Sequence, residues 1–207
     1  MRFELICEGA TEQLAVPAFL KRWLDPQLSR PVGIRVTNEK GFARVERKIV
    51  DKARAKLHAP GNNQIIAVIG LLDLYGPDYP PDKTTVADRY EWLKAKIESD
   101  IDESRFRMHF AVHESEAWLM SDKTIFPRPV RDAWPANMGR PEEVNNERPP
   151  AKLLNELYRR ATQRAYKETA NGRDLFNKLD PHVAASKCPY LQRLLDDLPQ
   201  LAKDAGL

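Results

Sequence analysis

The stretch Phe3-Glu4-Leu5-Ile6-Cys7-Glu8-Gly9-Ala10-Thr11-Glu12 decides how the rest of the chain is read. Phe3 to Cys7 is an apolar run broken only by Glu4, and Glu8 to Thr11 is turn-like. Val16, Phe19, Leu20, Trp23 and Leu24 then recur at i, i+3, i+4, i+7 and i+8. This is a strand, a turn and a helix. Thr11 is the expected N-cap, and Pro17 is expected to kink the helix or delay its regular part.

The same alternation continues outward. Val32 to Thr37 predicts a second strand, followed by a basic helix whose apolar stripe is Phe42, Val45, Ile49, Ala53 and Leu57. Gln64 to Leu72 reads as a strand buried on both faces and ends at Asp73. Leu74 to Lys83 contains Gly76, Pro77, Pro80 and Pro81 and must be a loop. Thr85 with Asp88 then resembles a capping box ahead of the stripe Val86, Tyr90, Leu93 and Ile97. Phe106, Met108, Phe110 and Val112 alternate over a fourth strand that stops at His113-Glu114, and Glu116 to Met120 starts another helix. Strands and helices at this spacing imply an α/β fold, a mostly parallel central sheet with helices on both faces. Six prolines break up Phe126 to Pro150. Helices follow over Ala151 to about Thr169, from Asp180-Pro181, and from Cys188-Pro189 with Leu191, Leu194, Leu195 and Leu198 on one face. The chain thus divides into an α/β core at 1–125, a Pro-rich irregular excursion at 126–150 and a C-terminal helical extension at 151–207 packed on the core.

The 207 residues, 42% of them hydrophobic, suffice for one sizeable core. The longest apolar run, Ile65 to Leu72, falls far short of the roughly 20 residues of a spanning helix. Met1-Arg2-Phe3-Glu4 does not resemble a signal peptide, so the expectation is a cytoplasmic protein with no membrane partner. Cys7 and Cys188 are too few for a Cys-type zinc site and read as core thiols. The net charge of +3 does not by itself call for nucleic acid, but its distribution is uneven. Seven basic residues lie between Lys40 and Lys56 against Glu46 and Asp51. A second cluster, Arg159, Arg160, Arg164, Lys167 and Arg173, is opposed only by Glu168. Each is either a solvated helix face or a phosphate-binding surface. Arg44, Lys48 and Lys52 are the candidate nucleic-acid contacts.

Three predicted strands each end in an acid: Glu8, Asp73 and Glu114. In a parallel sheet these ends share one edge, where open α/β sheets bind ligands. Carboxylates crowded there would repel unless a cation sat among them, and hard oxygen donors suit Mg²⁺ or Mn²⁺. Glu12, one helical turn after Glu8, and Glu116, two residues after Glu114, can return toward the same place. The alternative is that these acids cap the helices that follow them. That fits poorly at Asp73, which enters a loop.

Glu8-Gly9-Ala10-Thr11-Glu12 resembles the first motif of the Toprim domain of topoisomerases, primases and nucleases of the overcoming-lysogenization-defect (OLD) class. Ile69-Gly70-Leu71-Leu72-Asp73-Leu74-Tyr75-Gly76 occupies the place of the second motif. A closer resemblance, over roughly Met1 to Leu198, is to a Toprim-like bacterial family, domain of unknown function 4276. It is carried by Asp73-Leu74-Tyr75-Gly76, Val112-His113-Glu114-Ser115-Glu116-Ala117 and Cys188-Pro189 in order. Toprim's second motif usually has two aspartates separated by one residue, and Tyr75 stands where the second would be. Glu114 and Glu116 would then supply the missing ligand.

The resemblance implies a metal-dependent phosphoryl-transfer enzyme, a Toprim-type nuclease acting on DNA or RNA, set in a bacterial antiphage defence system. Its implied catalytic residues are Glu8, Asp73, Glu114 and Lys152, and its metal ligands are Glu8, Glu12, Asp73, Glu114 and Glu116 with Mg²⁺ or Mn²⁺. Lys152, in Pro149-Pro150-Ala151-Lys152, resembles a lysine that OLD-type nucleases place near the scissile phosphate. The alternative, of a different class, is a catalytically degenerate nucleic-acid-binding or regulatory subunit. Either would partner an ATPase of the AAA or ABC type. No Gly-rich phosphate loop is present, so this chain is not itself an NTPase. Tyr75 reads as a packing residue and His113 as a structural histidine. His58, His109 and His182 receive no role.

Overall fold

Strands and helices alternate through the first half of the chain as β1 (Arg2–Cys7), α1 (Ala10–Leu24), β2 (Gly33–Asn38), α2 (Val45–His58), β3 (Ile65–Asp73), α3 (Val86–Ile101) and β4 (Phe106–Ala111). The computed structural model describes residues 1–38, 45–74, 78–136, 138–143 and 149–207, without the side chains of 45–47. Lys40, Phe42, Arg44, Tyr75 and Gly76 lie outside the described residues, as do the side chains of Val45 and Arg47.

All strand pairings are parallel, in the order β2-β1-β3-β4. Both faces of the sheet are covered. Ile6, Val68, Leu72, Met108 and Phe110 pack on one side with Ile49, Ala53 and Leu57 of α2 and Tyr90, Leu93 and Ile97 of α3. Phe3, Leu5, Ile69 and Leu71 pack on the other with Val16, Phe19, Leu20 and Leu24 of α1. That second face also buries the C-terminal helices, so the α/β reading holds and the extension shares its core. Every residue of β3 from Ile65 to Leu72 is buried, as expected of a strand covered on both sides. Thr85 and Asp88 close the capping box of α3.

After β4 come α4 (Glu116–Leu119), α5 (Arg128–Asp132), α6 (Pro150–Thr162), α7 (Arg173–Lys178), α8 (Pro181–Lys187) and α9 (Pro189–Asp204). Three local expectations are overturned. The N-cap of α1 is Gly9, which makes no side-chain cap, and Thr11 is buried inside the first turn. α1 is regular from Ala10 and runs through Pro17, so the proline does not delay it, because packing of Val16, Phe19, Leu20 and Leu24 outweighs the propensity cost. α6 stops at Thr162, well before Thr169, where Gln163 turns left-handed at φ 59° and donates to the Arg159 carbonyl at 3.0 Å. One π-helical turn, Glu168–Gly172, and α7 follow, neither anticipated from the periodicity.

Candidate active site

From β1 the chain moves to β2 on one side and later to β3 on the other, so the strand order reverses between β1 and β3. The crevice outside the carboxyl ends at such a point is where doubly wound sheets place ligands. Glu8 follows β1, and Asp73 ends β3, paired with Ala111 of β4. The Asp73 backbone N–H donates to Glu8 Oε1 at 3.2 Å, tying the two strand ends together.

α1 begins at Ala10, so Glu12 sits in its first turn and its carboxylate folds back over Gly9. A Cβ at Gly9 would lie 1.6 Å from Glu12 Oε2, which gives this glycine a steric role that its isolation in the sequence conceals. After β4, His113 adopts φ 68° while buried, a left-handed conformation that costs a non-glycine residue roughly 1–2 kcal/mol. Strain of this kind clusters at functional sites. Beyond it, Ser115 Oγ donates to Glu12 Oε1 at 2.5 Å. Glu114 Oε2 accepts from the Ala151 N–H at 2.7 Å, filling one of the unsatisfied donors at the start of α6. Tyr166 Oη donates to Glu116 Oε1 at 3.4 Å. Gly172 lets the turn after α6 come close, since a Cβ there would lie 3.0 Å from Thr11 Cγ2 and 3.1 Å from Tyr166 Oη.

The chain thus brings Glu8, Glu12, Glu114 and Glu116 within electrostatic reach of Asp73. Burial, followed by the charges of Glu12, Glu8, Glu116 and Glu114, raises Asp73 well above the aspartate range. Burial and then Glu12, Glu114 and Glu168 push Glu116 up to about 8. Glu8 and Glu114 are raised chiefly by burial, against the lowering effect of the N–H group each accepts from. Burial with the charges of Glu12 and Glu8 lifts the Cys7 thiol to about 12, so it is inert at neutral pH. No ion pair among the described residues involves any of the five acids.

In element and charge this donor set fits a hard divalent cation. As the side chains lie, no three His, Cys, Asp or Glu groups among the described residues close on a single ion. Each of four carboxylates is instead turned to a local donor: the Asp73 N–H, Ser115, the Ala151 N–H or Tyr166.

Lys152 is exposed on the first turn of α6, next to the Ala151 N–H that holds Glu114. Lys48 and Lys52 are half-exposed on α2. Farther along α2, Lys56 is engaged with Glu4 and Arg54 with the Asp100 carbonyl. Ser115, Tyr166, Glu168 and Gly172 escaped the sequence reading. Ser115 lay in a motif already singled out, whereas Tyr166, Glu168 and Gly172 reach the site through a tertiary return that no local spacing announces.

A family model described as domain of unknown function DUF4276 matches residues 7–199. The chain belongs to this family. No curated protein matches it. Among solved structures, it is similar to the C-terminal region of the Burkholderia pseudomallei OLD protein, at 17% identity over 96% of this chain and 97% of that one, with a TM-score of 0.47. It is also similar to the C-terminal region of the Xanthomonas campestris pv. campestris OLD protein, at 15% identity over 98% and 97% of the two chains and the same TM-score. Among the described residues of this member of the family, no helix is long and apolar enough to cross a membrane.

Proposed function

We propose that this chain is a metal-dependent phosphoryl-transfer enzyme, a Toprim-type nuclease acting on DNA or RNA. The observation that carries the reading is the gathering of five acids from β1, α1, β3 and the segment after β4 at the carboxyl edge, where burial and the neighbouring charges raise the pKa of Asp73 and Glu116. Such crowding is relieved by a bound cation. Glu8, Asp73 and Glu114 would hold Mg²⁺ or Mn²⁺, with Glu12 and Glu116 beside them. When bound, the ion polarises the phosphate and lowers the pKa of a water. The chain's own groups do the rest. Glu8, half-exposed and with a raised pKa, is either a ligand or the general base that takes the proton of the attacking water, and Lys152 offers its ammonium to charge developing on the phosphate. Ser115, Ala151 and Tyr166 position Glu12, Glu114 and Glu116. Lys48 and Lys52 attract the backbone through charge, which carries little sequence information. An ATPase of the AAA or ABC type in an antiphage defence setting is the partner we propose.

A second reading, a degenerate nucleic-acid-binding or regulatory subunit, is favoured by the absence of three ready ligands among the described residues. Incubation of plasmid, single-stranded DNA and RNA with Mg²⁺ or Mn²⁺ separates the two. The nuclease reading expects cleavage by the parent and none by Asp73→Asn. Binding without cleavage under every condition assigns the second.

A further inference from the structure

Where the chain leaves α6 it forms a second feature that the acid cluster does not use. A cleft of about 650 Å³ opens between the start of α5, the end of α6 and the π-helical turn. Pro127, Tyr158, Thr162, Arg164, Lys167 and Asn171 line it. Its size is that of small-ligand sites, roughly 300–1,000 Å³. Its chemistry is one-sided: two cations, two hydroxyls and an amide, with no acidic side chain among the described residues that line it. Both cations are exposed. An anion is the ligand such a lining selects.

The cleft and the acids share a wall. Tyr158, on the cleft, packs against Tyr166 with ring centroids 5.4 Å apart, and Tyr166 Oη donates to Glu116. Three consecutive residues bridge the two places. Tyr166 reaches Glu116, Lys167 lines the cleft, and the charge of Glu168 acts on Glu114 and Glu116. The Lys167 N–H donates to Asn171 Oδ1 at 2.8 Å and the Asn171 N–H to the Lys167 carbonyl at 2.7 Å, which fixes this segment. A cationic cleft joined to an acid cluster through Tyr166 has the layout of a strand-holding groove beside a cutting site.

We infer that the Arg164–Lys167 cleft binds a phosphate of the nucleic-acid strand flanking the one at the acids, an inference that rests on the nuclease reading. Two phosphate contacts on a single strand contribute about 1.4 units to the slope of log affinity against log salt, near 0.7 each. Binding of a labelled single-stranded oligonucleotide, as DNA and as RNA, to the full chain in EDTA across a potassium chloride series tests it. Arg164→Ala with Lys167→Ala should weaken binding about fivefold or more and flatten the slope by about that 1.4. Arg164→Lys with Lys167→Arg should keep both, and Arg140→Ala with Lys203→Ala, outside the cleft, should leave the slope unchanged. An unaltered slope in the first pair, an equal loss in the last, or a parent that binds neither oligonucleotide would overturn the assignment. Thermal stabilisation by Mn²⁺, read on the same variants, reports the acids separately. A parent without that response but with the expected slopes sinks the metal reading and supports the cleft.

Discussion

The two ends of β1 treat their carboxylates in opposite ways. Toward the amino end, Glu4 is 2% exposed and clasped by Arg2 at 2.6 Å and Lys56 at 2.7 Å. Burial alone would raise its pKa, yet those two partners hold it below the ordinary glutamate value. At the carboxyl end, Glu8 accepts from the Asp73 N–H and faces the charge of Glu12, while Asp73 faces Glu12, Glu8, Glu116 and Glu114, so burial is compounded by like charge. A fold that balances one acid with two cations and, a few residues later, gathers five acids with no ion pair among the described residues is storing repulsion. We read that repulsion as the counterpart of the cation proposed for the site.

The contrast is sharpest in activity. Asp73→Asn and Glu8→Gln should lower metal-dependent cleavage by at least about a hundredfold, the loss that disturbing an outer-shell partner alone can reach, while Glu4→Gln should leave turnover per folded molecule intact. A cleavage assay normalised to folded protein checks this.

Stability should then run the other way. Glu4→Gln strands Arg2 and Lys56, whose side chains are 25% and 22% exposed, so the cost should be about 2–3 kcal/mol, under the ~3–5 of a fully buried pair. A melt should show it as a fall of roughly 5–10 °C. Asp73→Asn without metal should hold level or rise slightly. A fall as large as that of Glu4→Gln would mean the acids are structural after all.

The pH dependence carries opposite signs at the two ends. Glu4's pKa is depressed, so its contribution is present above the unfolded value of ~4.3 and is lost as pH falls through that value and below. Glu116 is raised to about 8, so the native state holds its proton more tightly and the cost of ionising it grows from ~4.3 up to about 8. Metal-free Glu116→Gln should therefore gain on the parent by a few °C between mildly acidic and mildly alkaline pH. Melts at both ends of that window supply the comparison.

The smallest loss of stability should come from Gly9→Ala. Its φ of −97° suits alanine, and the group in the way is the end of the flexible Glu12 side chain, so the cost should stay near ~0.5–1 kcal/mol of lost N-cap preference. Glu12 must move, however, and cleavage should fall by more than stability does. Equal losses would show that the placement of Glu12 does not matter.

Most of the sheet was legible because its signals are local. Period-two and buried apolar runs located β1 to β4, and the Thr85–Asp88 capping box located the start of α3. The acids at the strand ends were legible as a set, since a parallel sheet puts all its carboxyl ends on one edge. Tyr166 and Glu168 were not, because a left-handed turn at Gln163 and an isolated π turn decide their approach, and neither has a periodicity. Pro17 misled about where α1 becomes regular, for the converse reason. Its local cost is real, but the buried face of α1 outweighs it.

The most direct test of the stored repulsion is a pair of melts, parent and Asp73→Asn, with and without millimolar Mn²⁺. A ligand held at 100 times its Kd by the native state alone stabilises by about 2.7 kcal/mol, so the parent should rise by roughly 5–10 °C and the variant should stay where it was. A parent indifferent to Mn²⁺, or a variant that rises as far as the parent, would contradict the account.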